Sequence, residues 1–203
     1  MGNPTDLLLF TAHCDDGELW AGGTISKLVE CGKRVVLAIA HHDSVRRAEA
    51  EASAAVLGCE VWFKEEQIGL MEWASTCLAD ARPIVLMTHA PCDPHFEHAE
   101  IGQNVRHALT KSKPRRAYPQ RWYSLDTYFS TESVGFPILI DISSHFQQKL
   151  SALDCHHSQT PGDLAEMART MNALHGQRIR VQHAEAFYPF PLLGRLPRLR
   201  ELP

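Results

Sequence analysis

Residues 6–24 read DLLLFTAHCDDGELWAGGT: a continuous apolar run is followed by a cluster of polar side chains and then by an amphipathic segment. The apolar run predicts a buried strand at 6–12, and the pattern after the polar cluster predicts a helix at 18–30 that is stopped by Gly32. A strand that leads through a short polar turn into a helix is typical of the first unit of a parallel α/β sheet.

The same alternation continues along the chain. Further strands are predicted at 34–40, 60–63, 83–88 and 138–142, and further helices at 45–57, 72–81, 98–110, 145–156 and 162–174. Continuously apolar strands that alternate with helices favour a Rossmann-like, mostly parallel sheet with helices on both faces. We expect one domain over residues 1–203, with a proline-rich tail at 189–203 that packs over the surface or frays.

Composition excludes several classes of function. The 203 residues are 44% hydrophobic and 22% charged with a net charge of -4, and they carry no continuous basic stripe, so we expect no nucleic-acid partner. The apolar run at 7–10 is too short for a membrane span, and the start of the chain lacks the basic residues of a signal peptide. The 6 cysteines form no C-x-x-C pair. We therefore expect a cytoplasmic protein with reduced thiols; a homo-oligomer is left open.

The polar cluster His13-Cys14-Asp15-Asp16 directly follows the first strand. In open α/β sheets, ligands bind outside the carboxyl ends of the strands, so this turn lies where an active site is expected. His13 and Asp16 are three residues apart and can turn toward one metal ion, which leaves Asp15 free for proton chemistry. The alternative is that Asp15 or Asp16 only caps the following helix.

Two other features of this segment also have two interpretations. Gly22-Gly23-Thr24 is similar to a phosphate loop, but the P-loop lysine and the G-x-G-x-x-G spacing are absent, so close packing of the helix on the sheet is favoured. Cys14 either packs as a small buried hydrophobic residue or faces the metal loop as a reactive thiol.

A second polar cluster, THAPCDPHFEH at 88–98, follows the fourth predicted strand. His95 and His98 are three residues apart at a helix start and so face the same side. Two imidazoles and one carboxylate that leave a position open for water are typical of catalytic zinc, and ferrous iron accepts the same triad. Three carboxylates are assigned to the support of these side chains: Asp93, Glu97 and Glu18.

Both clusters resemble motifs of the LmbE-like or PIG-L deacetylase family. Its first motif, A-H-P-D-D with x-E and then G-G-T, is similar to AHCDDGE at 12–18 and GGT at 22–24, and its second, H-x-D-H, is similar to HFEH at 95–98. The resemblance spans about residues 5–190. Weaker similarities are Arg46 and Glu49 ahead of Leu57-Gly58, and later segments at 140–143, 149, 156–159 and 184–187.

The resemblance implies roles for individual residues. The family's zinc ligands fall on His13, Asp16 and His98. Its general base falls on Asp15, and the histidine that stabilises the charged intermediate or protonates the leaving amine falls on His95. A position associated with substrate contact falls on Arg46, for which the neighbouring Arg47 could substitute.

The implied reaction is hydrolysis of an N-acetyl group on a small N-acetylglucosamine-type conjugate, by a water on the zinc ion. Two alternatives stay open: an amidase that cleaves a larger thiol-cofactor conjugate, and a metal-binding protein without catalysis. The sequence departs from the family at Cys14, where proline is usual, and at Glu97, where aspartate is usual. The chain is also short for the family, which predicts smaller substrate-covering loops.

Overall fold

The computed structural model describes residues 4–111, 119–127 and 135–191. Its strands are β1 (Leu7–Thr11), β2 (Val35–Ile39), β3 (Glu60–Phe63), β4 (Val85–Thr88), β5 (Arg121–Leu125), β6 (Ile138–Asp141) and β7 (Ala184–Pro189). Its helices are α1 (Asp16–Glu30), α2 (Ser44–Leu57), α3 (Leu70–Ala81), α4 (Phe96–Lys111), α5 (Phe146–Leu153) and α6 (Pro161–Ile179).

The strands form one 7-stranded sheet in the order β3-β2-β1-β4-β5-β7-β6. Strands β1 to β5 are parallel to one another, and β7 is antiparallel to both β5 and β6. The predicted Rossmann-like, mostly parallel α/β sheet is therefore confirmed. Because β1 and β4 are adjacent, the two polar clusters leave the sheet side by side.

Helices cover both faces of the sheet. Along β1, Leu7 and Leu9 pack into a core cluster with residues of α1, α2, α5 and α6. Leu8 and Phe10 point to the opposite face and pack with residues of α3 and α4. This alternation explains why the strand is apolar throughout, since each face lies against helices. Among the described residues, no helix is both long enough and apolar enough to cross a bilayer.

Most predicted elements are confirmed, and two strands were missed. Strand β3 has the predicted bounds. Helix α2 ends as predicted at Gly58, which adopts φ 75°. The strand β5 was not predicted, and neither was β7, because both depend on pairing across the sheet more than on a local apolar run. The predicted tail at 189–203 is wrong at its first residue, since Pro189 ends β7; residues 192–203 lie outside the described residues.

Gly22 and Gly23 of α1 allow close packing, as predicted, but not on the sheet: the contacts come from Ile142, which directly follows β6, and from α5. A Cβ on Gly23 would lie 2.6 Å from Cβ of Ile142, and one on Gly22 would lie 3.1 Å from Cγ of Lys149. The Glu185 carboxylate of β7 accepts hydrogen bonds from the backbone N–H of Gly23 at 2.9 Å and of Thr24 at 2.8 Å.

Glu185 also forms a fully buried ion pair with Lys149, in which Glu185 Oε1 lies 2.7 Å from Lys149 Nζ. Removing one partner of such a pair costs about 3–5 kcal/mol, because the other charge is left buried and uncompensated. The middle of α1 is thus fixed by side chains from α5 and β7. This fixes the position of the turn that precedes α1, where the first polar cluster lies.

Candidate metal centre

The two polar clusters meet outside the carboxyl ends of β1 and β4. Asp16 begins α1, and its carboxylate lies between two imidazoles. Nδ1 of His13 is 3.3 Å from Asp16 Oδ2, and Nε2 of His98 is 3.3 Å from Asp16 Oδ1. The three residues form a group whose ligand atoms all lie within 4.8 Å of one another. The structure therefore brings together His13, Asp16 and His98, the residues predicted as metal ligands.

The far nitrogens of both imidazoles contact further carboxylates. Nε2 of His13 lies 2.7 Å from Glu97 Oε2, and Nδ1 of His98 lies 3.3 Å from Asp93 Oδ1. With a proton on each far nitrogen, each near nitrogen keeps a lone pair that can bind a metal ion placed beside the Asp16 carboxylate. Metal-binding histidines are commonly held by carboxylates in this way. Glu97 was expected to support the second-motif histidines, and it instead contacts His13 of the first motif.

The charges at this site favour a cation. Burial lowers the pKa of His98, but contacts with Asp16 and Asp93 outweigh it and raise that pKa to about 9. Burial also lowers the pKa of His13, and Asp16 and Glu97 outweigh it there too, with a net rise. The pKa of Asp16 is held well below its usual value: burial opposes ionisation, but the neighbouring histidines, His89 first, outweigh it. A group that stabilises positive charge on its imidazoles fits a divalent metal ion by its donor set and by its charge.

Asp15 lies at the N-cap position of α1 but does not cap it. Among the described residues, its side chain makes no capping hydrogen bond, and the Asp16 carboxylate accepts instead from the backbone N–H of His13 at 2.7 Å. Asp15 lines a cleft of about 250 Å³ together with the three candidate ligands. Its pKa is raised by burial and by the negative charge of Asp16. The helix-cap interpretation is thus not supported by the hydrogen bonds.

His95 lines the same cleft. Its ring centroid lies 5.1 Å from that of His13 and 4.5 Å from that of His98. Its backbone N–H donates to Asp93 Oδ1 at 2.9 Å, which fixes the start of α4. Its Nδ1 is buried and has no hydrogen-bond partner among the described residues. The structure therefore brings both residues predicted as catalytic, Asp15 and His95, to the cleft that contains the candidate ligands.

The two arginines predicted for substrate contact have different surroundings. Arg46 lines the cleft, and its Nη2 donates to Gln159 Oε1. Arg47 is partly exposed; its guanidinium carbon lies 4.4 Å from the ring centroid of Phe63, and its Nε is 3.2 Å from Glu51. Consecutive helix positions point about 100° apart, so only one of the two can face the cleft. The remaining cleft wall is apolar and consists of Leu19, Leu164 and Met167.

Glu18 lies away from the candidate ligand group. Its side chain is fully buried, it accepts a hydrogen bond from Ser53 Oγ of α2, and its Oε2 lies 3.6 Å from His156 Nε2. The predicted role behind the metal ligands does not fit this position. Glu18 instead connects α1 to α2 and to the segment that follows α5.

Cys14 is buried, with 1% of its surface exposed, and it belongs to the hydrophobic core that includes α1 and α2. Its Sγ lies 3.8 Å from the carbonyl oxygen of His41. Burial raises the pKa of this thiol to about 12. Of the two interpretations of Cys14, these contacts favour the small buried hydrophobic residue.

His89, the residue that directly follows β4, was not predicted to lie at the site. It is fully buried, and its ring stacks on that of His98 with centroids 3.8 Å apart. Its Nε2 accepts a hydrogen bond from the backbone N–H of Ala12 at 3.1 Å and lies 3.2 Å from Asp16 Oδ2. Its position at the carboxyl end of a predicted strand was the feature of the sequence that could have indicated a place at the site.

A larger groove of about 380 Å³ lies at the opposite, amino-terminal edge of the strands. Its lining is mostly apolar and includes Leu7, Val85 and Tyr123. The smaller cleft is the better candidate for chemistry, because only there do the candidate ligands and the titratable residues with shifted pKa values converge.

Solved structures with the same fold include deacetylases and a hydratase. No protein-family model matches the sequence. The chain is similar to an N,N'-diacetylchitobiose deacetylase from Pyrococcus horikoshii, with 22% identity over 94% of this chain and 85% of that chain and a TM-score of 0.76. It is similar to the teicoplanin deacetylase Orf2 in a zinc-inhibited form, with 13% identity over 91% and 97% and a TM-score of 0.72.

A third similar structure is GalB, the 4-carboxy-2-hydroxymuconate hydratase from Pseudomonas putida, with 19% identity over 98% of this chain and 99% of that chain and a TM-score of 0.76. The similarities extend over nearly the whole chain, although identities are low. At such identities they establish a common architecture. The chain therefore has the LmbE-like fold that its two sequence motifs predict.

Proposed function

We propose that the protein is a zinc-dependent N-deacetylase that acts on a small N-acetylated sugar conjugate. One observation carries this proposal: Asp15, which caps no helix, and His95 both line the cleft that contains His13, Asp16 and His98. A metal site that has a proton acceptor and a further imidazole beside it is typical of a metal-assisted hydrolase. The deacetylases among the structures of the same fold support this choice of reaction.

The metal would be held by His13, Asp16 and His98. A bound zinc ion would supply Lewis-acid polarisation of the acetyl carbonyl and a water of lowered pKa. Ferrous iron accepts the same donors, so zinc is the proposal and iron the alternative. Glu97 and Asp93 would keep the two imidazoles in the tautomers that direct lone pairs at the centre.

Asp15 would accept the proton of the attacking water. A carboxylate whose pKa is raised holds a proton more readily than an ordinary aspartate, so it is better matched to proton transfer near neutral pH. His95 would donate a hydrogen bond to the oxygen of the acetyl carbonyl as that oxygen gains negative charge. The leaving amine then takes a proton from Asp15 or from His95, both of which line the cleft.

The cleft lining supports a substrate with two different parts. Arg46 offers a charged donor for hydroxyl or anionic groups, and Leu164 and Met167 offer an apolar wall. An N-acetylglucosamine unit with an attached aglycone has both kinds of surface. The cleft volume of about 250 Å³ would hold the N-acetyl sugar and leave the aglycone at its mouth.

Two alternatives predict different products. An amidase for a thiol-cofactor conjugate would release a larger acid than acetate. A metal-binding protein without catalysis would release nothing, and it gives no reason for Asp15 and His95 to lie beside the metal group. The hydratase with this fold shows that the architecture alone does not select deacetylation, which is why the reaction is argued from the site.

Acetate release from a panel of N-acetylglucosamine conjugates tests the proposal. The purified protein is assayed after chelation and again after zinc or ferrous iron is restored. We expect acetate release only with metal, and a matched Asp15→Asn protein serves as the control for contaminating activity. Metal-dependent release of a larger acid would favour the amidase, and metal binding without any product would favour the metal-binding protein without catalysis.

A further inference from the structure

Thr127 is a fully buried residue two positions beyond the end of β5. Its Oγ1 donates a hydrogen bond to Asp93 Oδ2. The two residues are 34 positions apart, so this contact connects the end of β5 to the turn that precedes α4. Neither sequence motif includes Thr127, and β5 itself was not predicted.

Asp93 uses its two oxygens for different tasks. Oδ1 accepts the backbone N–H of His95 at 2.9 Å and lies 3.3 Å from Nδ1 of His98. Oδ2 accepts the hydrogen bond from Thr127.

The side-chain torsion of an aspartate is soft at its carboxyl group, so contacts on Oδ1 alone do not fix the plane of the carboxylate. The hydrogen bond from Thr127 to Oδ2 does fix it. Asp93 is 6% exposed and Thr127 is 0% exposed, so water has little room to replace the threonine hydroxyl. Loss of that donor would therefore leave Asp93 free to turn away from His98.

We propose that Thr127 is a positioning residue for the metal centre: its hydroxyl fixes the Asp93 carboxylate, which in turn orients the His98 ring toward the metal. This inference rests on the proposed metal site and extends it by one residue behind Asp93, to the segment that directly follows β5 and that neither motif contains. The third member of this chain of contacts, His98, is the only one that would touch the metal.

The test compares the zinc affinity of variants in the absence of substrate, by competition with a chromogenic chelator. Thr127→Val has nearly the same shape as threonine and lacks the donor, and we expect its zinc affinity to fall by about 10–100-fold, the usual effect of losing a partner behind a ligand. Thr127→Ser keeps the hydroxyl and should bind zinc within a few-fold of the wild type.

Thr88 offers a matched control at the end of the neighbouring strand β4. It is also fully buried, and its Oγ1 has no hydrogen-bond partner among the described residues. Thr88→Val therefore removes a buried hydroxyl close to the same site without breaking a contact to Asp93. We expect it to bind zinc like the wild type.

A double-mutant cycle with Asp93→Asn tests whether Thr127 acts through Asp93. The double variant should bind zinc no more weakly than Asp93→Asn alone. Circular dichroism checks each fold, and Thr127→Ala takes the place of Thr127→Val if the latter does not fold. Wild-type affinity in the Thr127 variant, equal losses in the valine and serine variants, or fully additive losses in the cycle would each overturn the inference.

The outcome is independent of the proposed reaction, because no substrate is present. A wild-type protein that binds zinc and releases no acetate would refute the deacetylase proposal and leave the Thr127 comparison decisive. A wild-type protein that binds no zinc would overturn both.

Discussion

His13 Nε2 lies 2.7 Å from Glu97 Oε2, so the two sequence motifs are joined by a direct contact across 84 positions. Glutamate has one more methylene than the aspartate of the resembled family motif, and this length lets it reach the imidazole that follows β1. The substitution thus has a structural consequence: the second motif supplies both the candidate ligand His98 and a carboxylate that holds the first motif's histidine.

Substitution of a candidate ligand should remove the metal ion, and substitution of a histidine elsewhere should not. The wild-type protein should hold about one zinc per chain, as a three-ligand catalytic site does, and His13→Ala or His98→Ala should lose it. His107 is an exposed histidine on the same helix as His98, so His107→Ala serves as the control. Elemental analysis after dialysis measures the occupancy. Full occupancy in both site variants would refute the ligand set.

Zinc binding should strengthen as the pH rises. The pKa of His98 is raised to about 9 without metal, so a proton occupies this imidazole at neutral pH and zinc must displace it. For each proton displaced, the apparent affinity should rise about tenfold per pH unit up to that pKa. Calorimetry in buffers of different ionisation enthalpy counts the protons released. A zinc affinity that does not change over this range would contradict the site.

Asp15→Asn separates binding from chemistry. It removes a proton acceptor and no ligand, so zinc occupancy and fold should persist while turnover falls by about 10²–10⁴-fold, the usual contribution of a general base. Steady-state kinetics on the best substrate of the panel measures the loss. Turnover within a few-fold of the wild type would mean that Asp15 is not the base.

The two neighbouring arginines should behave differently. Arg46 lines the cleft, so Arg46→Ala should raise KM more than it lowers kcat if its contact is mainly ground-state binding. Arg47 packs on Phe63 outside the cleft, which makes Arg47→Ala the matched control with near wild-type kinetics. If both variants had the same kinetics as the wild type, neither arginine would contact the substrate.

Cys14 should react slowly with alkylating reagents. Its pKa of about 12 leaves almost no thiolate at pH 8, and its surface is 1% exposed. Cys31 and Cys92 are exposed and should be modified first, as peptide mapping by mass spectrometry would show.

Cys14→Pro, which introduces the proline of the resembled family motif, should keep zinc and a substantial part of the activity. Loss of zinc from a folded Cys14→Pro protein would place Cys14 at the metal.

The sequence was sufficient for β1 to β4 and for β6 because these strands are marked locally. Strands β1 and β2 are continuous apolar runs that glycine-terminated helices follow, and they required no knowledge of partners. Strand β5 lies between stretches with prolines, and β7 directly precedes a proline-rich segment. Both are defined by hydrogen bonds to distant strands, which single-sequence periodicity does not contain.

The site residues, too, were predictable only where the signal is local or follows from strand order. Spacing within each motif brought His13 near Asp16, and strand order brought His98 near both. The partner of Glu97 could not be predicted, because it depends on how far one side chain reaches across the cleft. Thr127 was not predicted because β5, the strand that it follows, was not predicted. His89 was not predicted because a histidine after a strand is as often structural as functional.

The contact between Glu185 and the middle of α1 has a consequence for the order in which the protein matures during synthesis. Both motifs have been translated once residue 98 is added, yet the strand that supplies Glu185 begins at Ala184. A nascent chain would thus expose an unfinished set of metal-binding side chains until β7 has been added. The native geometry of α1, and with it the metal centre, is accordingly complete only after the strand that contains Glu185 has been added.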